Sequence, residues 1–429
     1  MKPRFRVTIE KLIFGGQGLA RLDDGQVVFV WNVLPEEVVD IEIIKRKPEY
    51  KEAIAKEIII PSPERVEAKE ESFLSTSPWQ ILDPTKEDLW KKNIALETYN
   101  KIAGVVLNTD EVEIISPPED YGYRNKMEFS FTETVDGNIS LAFFERGGKK
   151  RFAVHDSALA RPEINNIAKQ ILAWINTEKI SMRSLKSLIV RSNMAGEVIA
   201  GLFIKDRLTF NTHPKLTTAC IGYTLFYSTH KSPASIPTEL LYQIGQTQLQ
   251  EKILGSTLSY GLFSFFQINQ AMFTAALKDI AAFVDPNKTL VDYYSGVGSI
   301  GLPLSQNGRK CILIDNNKEA IALAKQNIAQ NNLKNCEAHC TPAELMTEHI
   351  KKEHMIIVDP PRAGLHKNVI QTLLTRQPPR IIYLSCNLST QARDMRMLSE
   401  VYRPVFVKLY NFFPRTPHIE GLVVLEKIV

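Results

Sequence analysis

The last third of the chain alternates short apolar runs with helical stretches, and this pattern constrains the fold more than any other feature. Strands that alternate with helices form a parallel, doubly wound sheet. Helical stretches are predicted over Ile300–Gln306 and Lys318–Gln330. The apolar runs that predict strands are Leu290–Tyr294, Cys311–Asp315, Met355–Asp359 and Arg380–Ser385. The sequence therefore predicts an α/β unit from about residue 285, with ligands at the carboxyl ends of its strands.

The first sixty residues predict a different unit, built from short strands. An Asp-Asp-Gly turn signal at residues 23–25 separates two apolar runs. Val39–Ile43 alternates apolar and polar residues, and Ala53–Ile60 supplies a further strand before the prolines of residues 61–63. Such a run of short strands fits an OB-like β-barrel. Many such barrels bind nucleic acid and many do not, so the barrel alone is weak evidence for an RNA partner.

The region between these units predicts one long helix followed by a mixed α+β segment. The helix is predicted over Lys86–Ala103, with Thr85 as its cap and Asp88 as the acidic partner of the cap. Residues 110–260 read as strands with one periodic helix, Glu163–Asn176. The buried stripe of the first helix is predicted to be Leu89, Trp90, Ile94, Tyr99 and Ile102.

Two cationic segments leave their roles open. Tyr123–Phe129 interleaves cations with aromatic residues on a predicted strand, which suits base stacking and phosphate contacts and equally suits an ordinary amphipathic strand. Arg146–Arg151 is a basic cluster for which a solvated hairpin tip is the favoured interpretation. The net charge of +4 permits a nucleic-acid partner without predicting one.

Cysteine usage and hydropathy predict a cytoplasmic protein without a membrane partner. No apolar signal core follows the first six residues, and no run approaches the roughly 18 apolar residues that span a bilayer. The cysteines are too few and scattered for a disulfide framework, which fits a reducing compartment. They are Cys220, Cys311, Cys336, Cys340 and Cys386.

A glycine loop and two acids predict a nucleoside-containing cofactor. Ser295–Ser299 follows the first α/β strand, where glycines let the backbone approach a ligand closely. Asp315 ends the second strand and can accept ribose hydroxyls. The glycines of residues 296–301 nearly meet the dinucleotide pattern, so nicotinamide binding stays open on these residues. Asp359 opens an Asp-Pro-Pro-Arg loop that resembles those of methyltransferases acting on planar rings, and its alternative role is a helix cap.

Cys386 and Glu420 are the candidate nucleophile and base. Cys386 follows the fifth strand and precedes a helix predicted from Ser389, whose positive end is expected to lower the pKa of the thiol. Its alternative role is that of a small buried hydrophobe. Glu420 precedes the predicted final strand, Leu422–Glu426, where a solvated turn residue is the alternative. His418 is a weaker candidate for the base.

The sequence resembles the RNA uracil-5-methyltransferase family over nearly its whole length. Residues 1–60 resemble the TRAM RNA-binding barrel that some members carry. The motifs of the resemblance occur in the order and spacing of the family: Ser264–Asn269, Asp292–Gly298, Asp359–Arg362, Ser385–Asn387 and His418–Glu420.

The resemblance implies an S-adenosylmethionine-dependent enzyme that methylates carbon 5 of a uridine. Cys386 matches the nucleophile that adds to carbon 6, and Glu420 matches the base that removes the proton from carbon 5. The helix from Lys86 is implied to pack on the C-terminal domain. The positions that match the cofactor site are Gln267, Tyr294, Asp315 and Asp359.

The implied fold is multidomain, with a TRAM barrel, a central α+β RNA-binding domain and a Rossmann-like methyltransferase domain. The barrel is predicted over 1–62, the central domain over 63–84 and 110–260, and the methyltransferase domain over 85–109 and 261–429. The expected partner is RNA, with ribosomal RNA slightly favoured over tRNA because of the barrel, and the expected state is a monomer.

The sequence also departs from the family. Many members bind an iron–sulfur cluster through four cysteines, but Glu70–Gln80 and the region of Ser157 hold none, so no cluster and no metal site are predicted. Asp315 stands where glutamate is common, and Thr341–Glu344 departs from the usual acidic segment and receives no role.

Three alternatives to this function differ in class. A cytosine-5 methyltransferase typically has a second cysteine beside the proline loop after Asp359, and this chain has none there. A catalytically inactive RNA-binding protein or folding factor would not require Cys386 and Glu420. A nicotinamide oxidoreductase would bind a different cofactor.

Overall fold

The N-terminal unit is a curled six-stranded sheet. The computed structural model describes residues 4–232 and 235–428. The strand order in this sheet is β1-β5-β6-β4-β3-β2, and β1 and β3 come into contact across a core of buried aliphatic side chains. The alternating pattern predicts this arrangement, because inward-facing positions are apolar. The strands are β1 Arg4–Thr8, β2 Lys11–Leu12, β3 Gly18–Arg21, β4 Val27–Trp31, β5 Val38–Arg46 and β6 Tyr50–Ile60.

A short linker leads from this barrel to the predicted long helix. Asp83, not Thr85, caps that helix, because the Asp83 carboxylate accepts from both the backbone N–H and the hydroxyl of Thr85. The predicted buried stripe is wrong at Leu89, which is 47% exposed. The elements are α1 Phe73–Thr76, a 3-10 helix Pro78–Ile81, α2 Pro84–Thr98, a π-helical turn Tyr99–Ala103 and β7 Glu113–Ile115.

A hydrogen-bonded network organises the linker stretch that lacks cysteines. The Gln80 side chain is buried, and its oxygen accepts from the backbone N–H groups of Lys69 and Glu70. Its amide nitrogen donates to Glu70 Oε2 at 2.8 Å and to Ser77 Oγ at 2.6 Å. Glu70 Oε1 in turn accepts from the backbone N–H of Ala158, which joins the linker to the central unit.

Replacing Gln80 by alanine is expected to lower the free energy of unfolding by about 1–3 kcal/mol. The substitution leaves the part-buried backbone N–H groups of Lys69 and Glu70 without their acceptor, and an unsatisfied donor costs up to about that much. Chemical denaturation of both proteins measures the difference. Gln326→Ala is the matched control, because Gln326 is exposed on a helix and its loss is expected to change stability by less than about 0.5 kcal/mol. Equal losses in the two variants would contradict the structural role of the network.

The central unit is a seven-stranded sheet with one helix packed on it. Its order is β10-β9-β8-β11-β12-β13-β14. The predicted helix is confirmed, and Met127 and Phe129 of the cationic strand point into the core. The elements are β8 Lys126–Glu133, β9 Ile139–Phe144, β10 Arg151–Val154, α3 Pro162–Thr177, β11 Leu185–Ser192, β12 Val198–Ile204, β13 Cys220–Tyr227 and β14 Glu239–Gly245, then the hairpin β15 Gln248–Ile253 and β16 Ser256–Gly261.

The basic cluster does lie at the tip of a hairpin, between β9 and β10, but it is not simply solvated. The Arg146 guanidinium lies 4.0 Å over the ring of Trp31 in the barrel. The same side chain donates to the carbonyl of Leu74 in the linker. The hairpin therefore packs on the barrel through a cation–π contact.

The C-terminal unit is the predicted doubly wound sheet. Its order is β19-β18-β17-β20-β21-β23-β22-β7, and the first five strands run parallel. The prediction placed residue 113 in the central unit, whereas β7 pairs with β22 at the edge of this sheet. The elements are α4 Gln270–Ala282, β17 Thr289–Tyr293, β18 Cys311–Asp315, α5 Lys318–Gln330, β19 Cys336–Cys340, β20 His354–Val358, α6 Lys367–Arg376, β21 Arg380–Ser385, α7 Leu388–Leu398, β22 Tyr402–Tyr410 and β23 Glu420–Lys427.

Two hydrophobic layers cover the faces of this sheet. One includes α4 and α5, and the other includes α2, α6 and α7, so the implied packing of the long helix on the C-terminal domain is confirmed. The predicted helix Ile300–Gln306 is wrong. Turns there lead into a 3-10 helix, Pro303–Gly308, at a proline that cannot donate to an α-helical ladder. Within the described ranges, no helix has the length and apolarity needed to cross a membrane.

Candidate active site

Strand register brings the candidate nucleophile and base together. Ser385 of β21 pairs with Gly421 of β23 in an antiparallel ladder. Cys386 and Glu420 are the next residues of the two strands and therefore face each other at one end of the sheet, where directly opposed Cα atoms lie about 5 Å apart. Asp359 leaves the neighbouring strand β20 at the same end. The predicted convergence of these three side chains is present in the structure.

Cys386 has an electrostatic environment that the sequence did not predict. The thiol is half-buried, and burial raises its pKa to about 12, assisted by the carboxylates of Glu420 and Asp359. Arg362 opposes this rise. The predicted lowering by the N-terminus of α7 is therefore wrong for this state of the site, because two acids and partial burial outweigh a helix end.

Glu420 is not a solvated turn residue. It begins β23, is 2% exposed, and within the described part of the chain its Oε2 atom has no hydrogen-bond partner. Burial raises its pKa well above the usual range, and the nearby Asp359 raises it further. A buried acid with a free oxygen at the end of a strand is a typical catalytic arrangement.

Asp359 links these residues to the predicted cofactor positions. Burial raises its pKa to about 7, against the effect of a hydrogen bond from Gln267. The Gln267 amide nitrogen donates to Asp359 Oδ2 at 3.2 Å. Gln267 is held in turn by Asn125, whose side chain donates to the Gln267 backbone carbonyl. Asp359 therefore lies among the candidate site residues, and His366, not Asp359, caps α6, the helix that follows this loop.

The glycine loop and Asp315 form the other half of the crevice. The backbone N–H of Gly296 donates to Asp315 Oδ2 at 2.9 Å, and that of Asn317 donates to Oδ1 at 2.8 Å. Each carboxylate oxygen keeps a lone pair for a further donor. Gly296 has a φ of +55° and open space around it, with the nearest atom 4.0 Å from the position of an added Cβ.

Tyr294 lines a cleft beside this loop. Its backbone has a φ of +64°, an uncommon conformation for a bulky residue and one that marks functional sites. The cleft holds about 600 Å³, and Asn316 and Glu344 also line it. Glu344 belongs to the segment Thr341–Glu344, for which no role was predicted. Asp359, in contrast, lies near Cys386, and Gln267 donates to Asp359, so the four predicted cofactor positions extend from the cleft toward the nucleophile.

Sequence reasoning missed Arg362 as a site residue. This arginine follows the two prolines after Asp359 and lowers the pKa of both Cys386 and Glu420. Its backbone carbonyl accepts from Asn387 and Thr390 at the start of α7. Its position in the quoted motif was a usable signal, because the loop follows a strand that ends at the site.

The segment before Glu420 is held by buried charges on α2, which sequence reasoning also missed. Arg415 is buried, and its backbone N–H and guanidinium both contact the Glu87 carboxylate. Lys91 forms an ion pair with Glu87 at 2.7 Å and donates to Asn411 Oδ1. Opposed charges this deeply buried are specific anchors, because breaking one partner leaves an uncompensated charge.

His418 lies in a cationic environment. Burial lowers its pKa to about 4, and Arg362, Lys91, Arg124 and Arg146 lower it further. It is therefore neutral at pH 7. Glu420, not His418, holds the buried position beside Cys386.

No metal site is evident in the part of the chain that the structure describes. There, no group of three or more histidine, cysteine or acidic side chains is arranged to hold a metal ion. The described residues around Gln80 and Ser157 are joined by hydrogen bonds instead.

Comparison with known proteins decides the family. The model of the tRNA (uracil-5-)-methyltransferase family matches residues 86–428, and that of the TRAM domain matches residues 4–56. The chain belongs to this methyltransferase family. This match removes the nicotinamide oxidoreductase alternative, and the N-terminal barrel is a TRAM domain.

Relatives and solved structures agree with this assignment. A protein of Fusobacterium nucleatum named as an uncharacterized RNA methyltransferase is 30% identical, over 98% of this chain and 95% of its own length. One from Aquifex aeolicus is 28% identical, over 98% of both chains. The crystal structure of Pyrococcus abyssi tRNA (uracil-54, C5)-methyltransferase in complex with S-adenosyl-L-homocysteine has a TM-score of 0.80 and 25% identity, and covers 98% of this chain and 100% of that one. The methyltransferase is therefore similar to an enzyme of the same architecture along its whole length.

Proposed function

We propose that this RNA methyltransferase transfers a methyl group from S-adenosylmethionine to carbon 5 of a uridine, with Cys386 as nucleophile and Glu420 as base. The observation that carries the proposal is the register of β21 and β23, which sets these residues opposite each other. Methylation of a weakly nucleophilic ring carbon needs one covalent nucleophile and one base in reach of the same ring. The inactive RNA-binding alternative would not require this pair.

The crevice fits S-adenosylmethionine. The free lone pairs of Asp315 can accept ribose hydroxyls, the glycine loop leaves space for close approach, and Tyr294 lines the adjoining cleft. Gln267 and Asp359 extend the polar wall toward Cys386. The cofactor supplies an electrophilic methyl group on a positively charged sulfonium.

The residues divide the reaction into two halves. The Cys386 thiol releases its proton to solvent, and the thiolate sulfur forms a bond to carbon 6 of uracil, which moves the electron pair of the ring double bond onto carbon 5. Once carbon 5 has gained the methyl group, Glu420 takes the proton from that carbon. The released electron pair restores the ring double bond and breaks the bond between sulfur and carbon 6. Asp359 and Arg362 border both residues and set their charges.

The target base must leave its helix to reach Cys386, because carbon 5 of a stacked base is inaccessible to a pocket. Phe265 is 69% exposed next to the glycine loop and offers a face for stacking.

We propose that 23S ribosomal RNA is the first substrate to test, on the basis of the TRAM barrel. The similarity to the Pyrococcus tRNA enzyme favours tRNA as the second. We further propose that the enzyme is a monomer that acts in the cytoplasm.

RNA that contains 5-fluorouridine tests the proposal. Fluorine replaces the proton that Glu420 removes and cannot leave as a cation, so the covalent complex between Cys386 and RNA is expected to accumulate. The purified enzyme is incubated with cofactor and fluorinated 23S rRNA fragments or tRNA, and the complex is detected on a denaturing gel and located by peptide mass spectrometry. Unsubstituted RNA is expected to yield 5-methyluridine at one mapped position.

The outcomes separate the alternatives. A methylated uridine without any trapped complex would contradict the covalent step, and methylation of cytidine would contradict the substrate class. Binding of both RNAs without methyl transfer would favour the inactive RNA-binding alternative. Trapping with only one of the two RNAs would identify the substrate.

A further inference from the structure

The glycine-rich loop of the barrel touches the segment that carries the base. We call residues 411–419, which precede Glu420, the catalytic segment. Gly16 is buried against Pro417 of this segment, and a Cβ added at Gly16 would lie 2.5 Å from Pro417 Cβ and 2.6 Å from Pro417 Cγ. Only glycine allows this approach, and its φ of +92° also favours glycine. A domain expected only to bind RNA is therefore in van der Waals contact with the active-site framework.

Trp79 forms hydrogen bonds to both the barrel loop and the catalytic segment near this contact. Its indole N–H donates to the carbonyl of Gly16 at 3.3 Å, and its backbone N–H donates to the carbonyl of Arg415 at 3.1 Å. The indole is buried in a hydrophobic cluster with Leu12 and Leu34 of the barrel. One residue of the linker thus bonds both the barrel loop and the catalytic segment.

The opposite side of the catalytic segment rests on α2. Glu87 and Lys91 hold its first residue, Asn411, and its central residue, Arg415, as described above. The segment is therefore clamped between buried charges of the methyltransferase domain and the glycine loop of the barrel. Removing the barrel contact would leave Pro417 without the partner that limits its movement, three residues before Glu420.

We propose that the TRAM barrel positions the proton acceptor, with Gly16 as the positioning residue that seats the barrel loop on Pro417. The inference rests on the proposed role of Glu420 and adds a second task to a domain that is otherwise an RNA anchor. A displacement of about 1 Å at a reacting group can cost about 100-fold in rate, so a small shift of this segment suffices. The step most affected is proton removal from carbon 5, because Glu420 acts there.

Gly16→Ala and Gly15→Ala form a matched pair. Both glycines have positive φ, +92° and +96°, but a Cβ at Gly15 meets no atom within 4 Å. Both variants therefore carry the backbone strain, and only Gly16→Ala carries the clash. We expect kcat of Gly16→Ala to be about 10- to 100-fold below that of Gly15→Ala. The KM for RNA is expected to differ by less than about twofold between the two variants, and circular dichroism verifies that both are folded.

A second readout reports the step itself. At steady state with unsubstituted RNA, Gly16→Ala is expected to hold more enzyme as a covalent methylated RNA complex than Gly15→Ala, because elimination waits for Glu420. Should Gly16→Ala fail to fold, Trp79→Phe serves instead. It keeps the buried ring, removes one hydrogen bond to Gly16, and is expected to lower kcat by about 2- to 10-fold with the same accumulation.

Equal kcat and equal covalent fractions in the two glycine variants would overturn the proposal, as would a loss confined to the KM for RNA. If Trp79→Phe is used instead, a wild-type fraction of enzyme in the covalent RNA complex would also overturn the proposal. Failure of the proposed function is distinguishable. If Glu420→Gln turns over like the wild type, the role of Glu420 is wrong, whatever the glycine variants do.

Discussion

Cys386→Ala is expected to abolish methyl transfer, lowering kcat by at least about 10⁴-fold, as loss of a covalent nucleophile does in other enzymes. Without the sulfur, no bond forms at carbon 6 and carbon 5 stays unreactive. Release of labelled methyl into RNA measures the rate. RNA affinity, measured by filter binding, is expected to stay within about threefold of wild type, because the substitution removes a small, half-buried side chain.

The control for this variant is another cysteine of similar exposure. Cys220 begins β13 in the central sheet, is also half-buried, and packs against the hydrophobic core of the central unit. Cys220→Ala is expected to keep wild-type turnover and to form the fluorouridine complex, whereas Cys386→Ala forms none. Residual turnover above a few per cent in Cys386→Ala would show that the reaction does not require a covalent bond to this sulfur.

The sequence predicted the C-terminal sheet well because its signals are local. Apolar runs that lead into Gly296, Asp315, Asp359 or Cys386 place those residues at or just after strand ends, and the parallel topology places strand ends together. Helix α5 has the predicted limits because Asn317 caps it and its apolar face repeats with helical period. Family resemblance added Glu420, which no local pattern could separate from a turn residue.

The failures came from long-range packing. Leu89 fits a helical stripe, yet the face that α2 buries is chosen by the Glu87 and Lys91 anchors to a segment more than 300 residues away. Strand β7 is three residues long and acquires its place only by pairing with β22. Burial, and then the acids Glu420 and Asp359 from two other strands, raise the pKa of Cys386, so the expectation based on the following helix had the wrong direction.

The contact between barrel and active site was equally invisible in sequence. Gly16 lies in a glycine-rich turn that any small barrel could carry, and Pro417 lies in a turn 401 positions later along the chain. Only the folded structure shows that Gly16 and Pro417 are in contact. Trp79, in a stretch considered only for its missing cysteines, proves to join them.

Glu420→Gln is expected to stop the reaction after the methyl group has been added. The amide is close to the carboxylate in shape but cannot accept the proton of carbon 5, and general-base catalysis contributes about 10²- to 10⁴-fold. The variant is therefore expected to accumulate a covalent complex with methylated RNA while kcat falls by that factor. Denaturing gels with labelled cofactor measure both, since label that migrates with the protein marks the stalled complex.

Glu426→Gln is the matched control, because Glu426 lies on the same strand at its far end, where it pairs with Arg380. It is expected to keep kcat within about twofold and to accumulate no complex.

The pH dependence of thermal stability gives a second check on Glu420. The pKa of Glu420 is raised in the folded state. Its protonated carboxyl group therefore contributes fully to the free energy of unfolding below the pKa of the unfolded state, and this contribution is lost as pH rises through the pKa of the folded state. We therefore expect the melting temperature of Glu420→Gln, minus that of the wild type, to be larger at pH 8 than at pH 5. A variant that is stabilised in this way but releases methylated RNA at the wild-type rate would assign proton removal to another group, and Asp359 is the nearest acid to test.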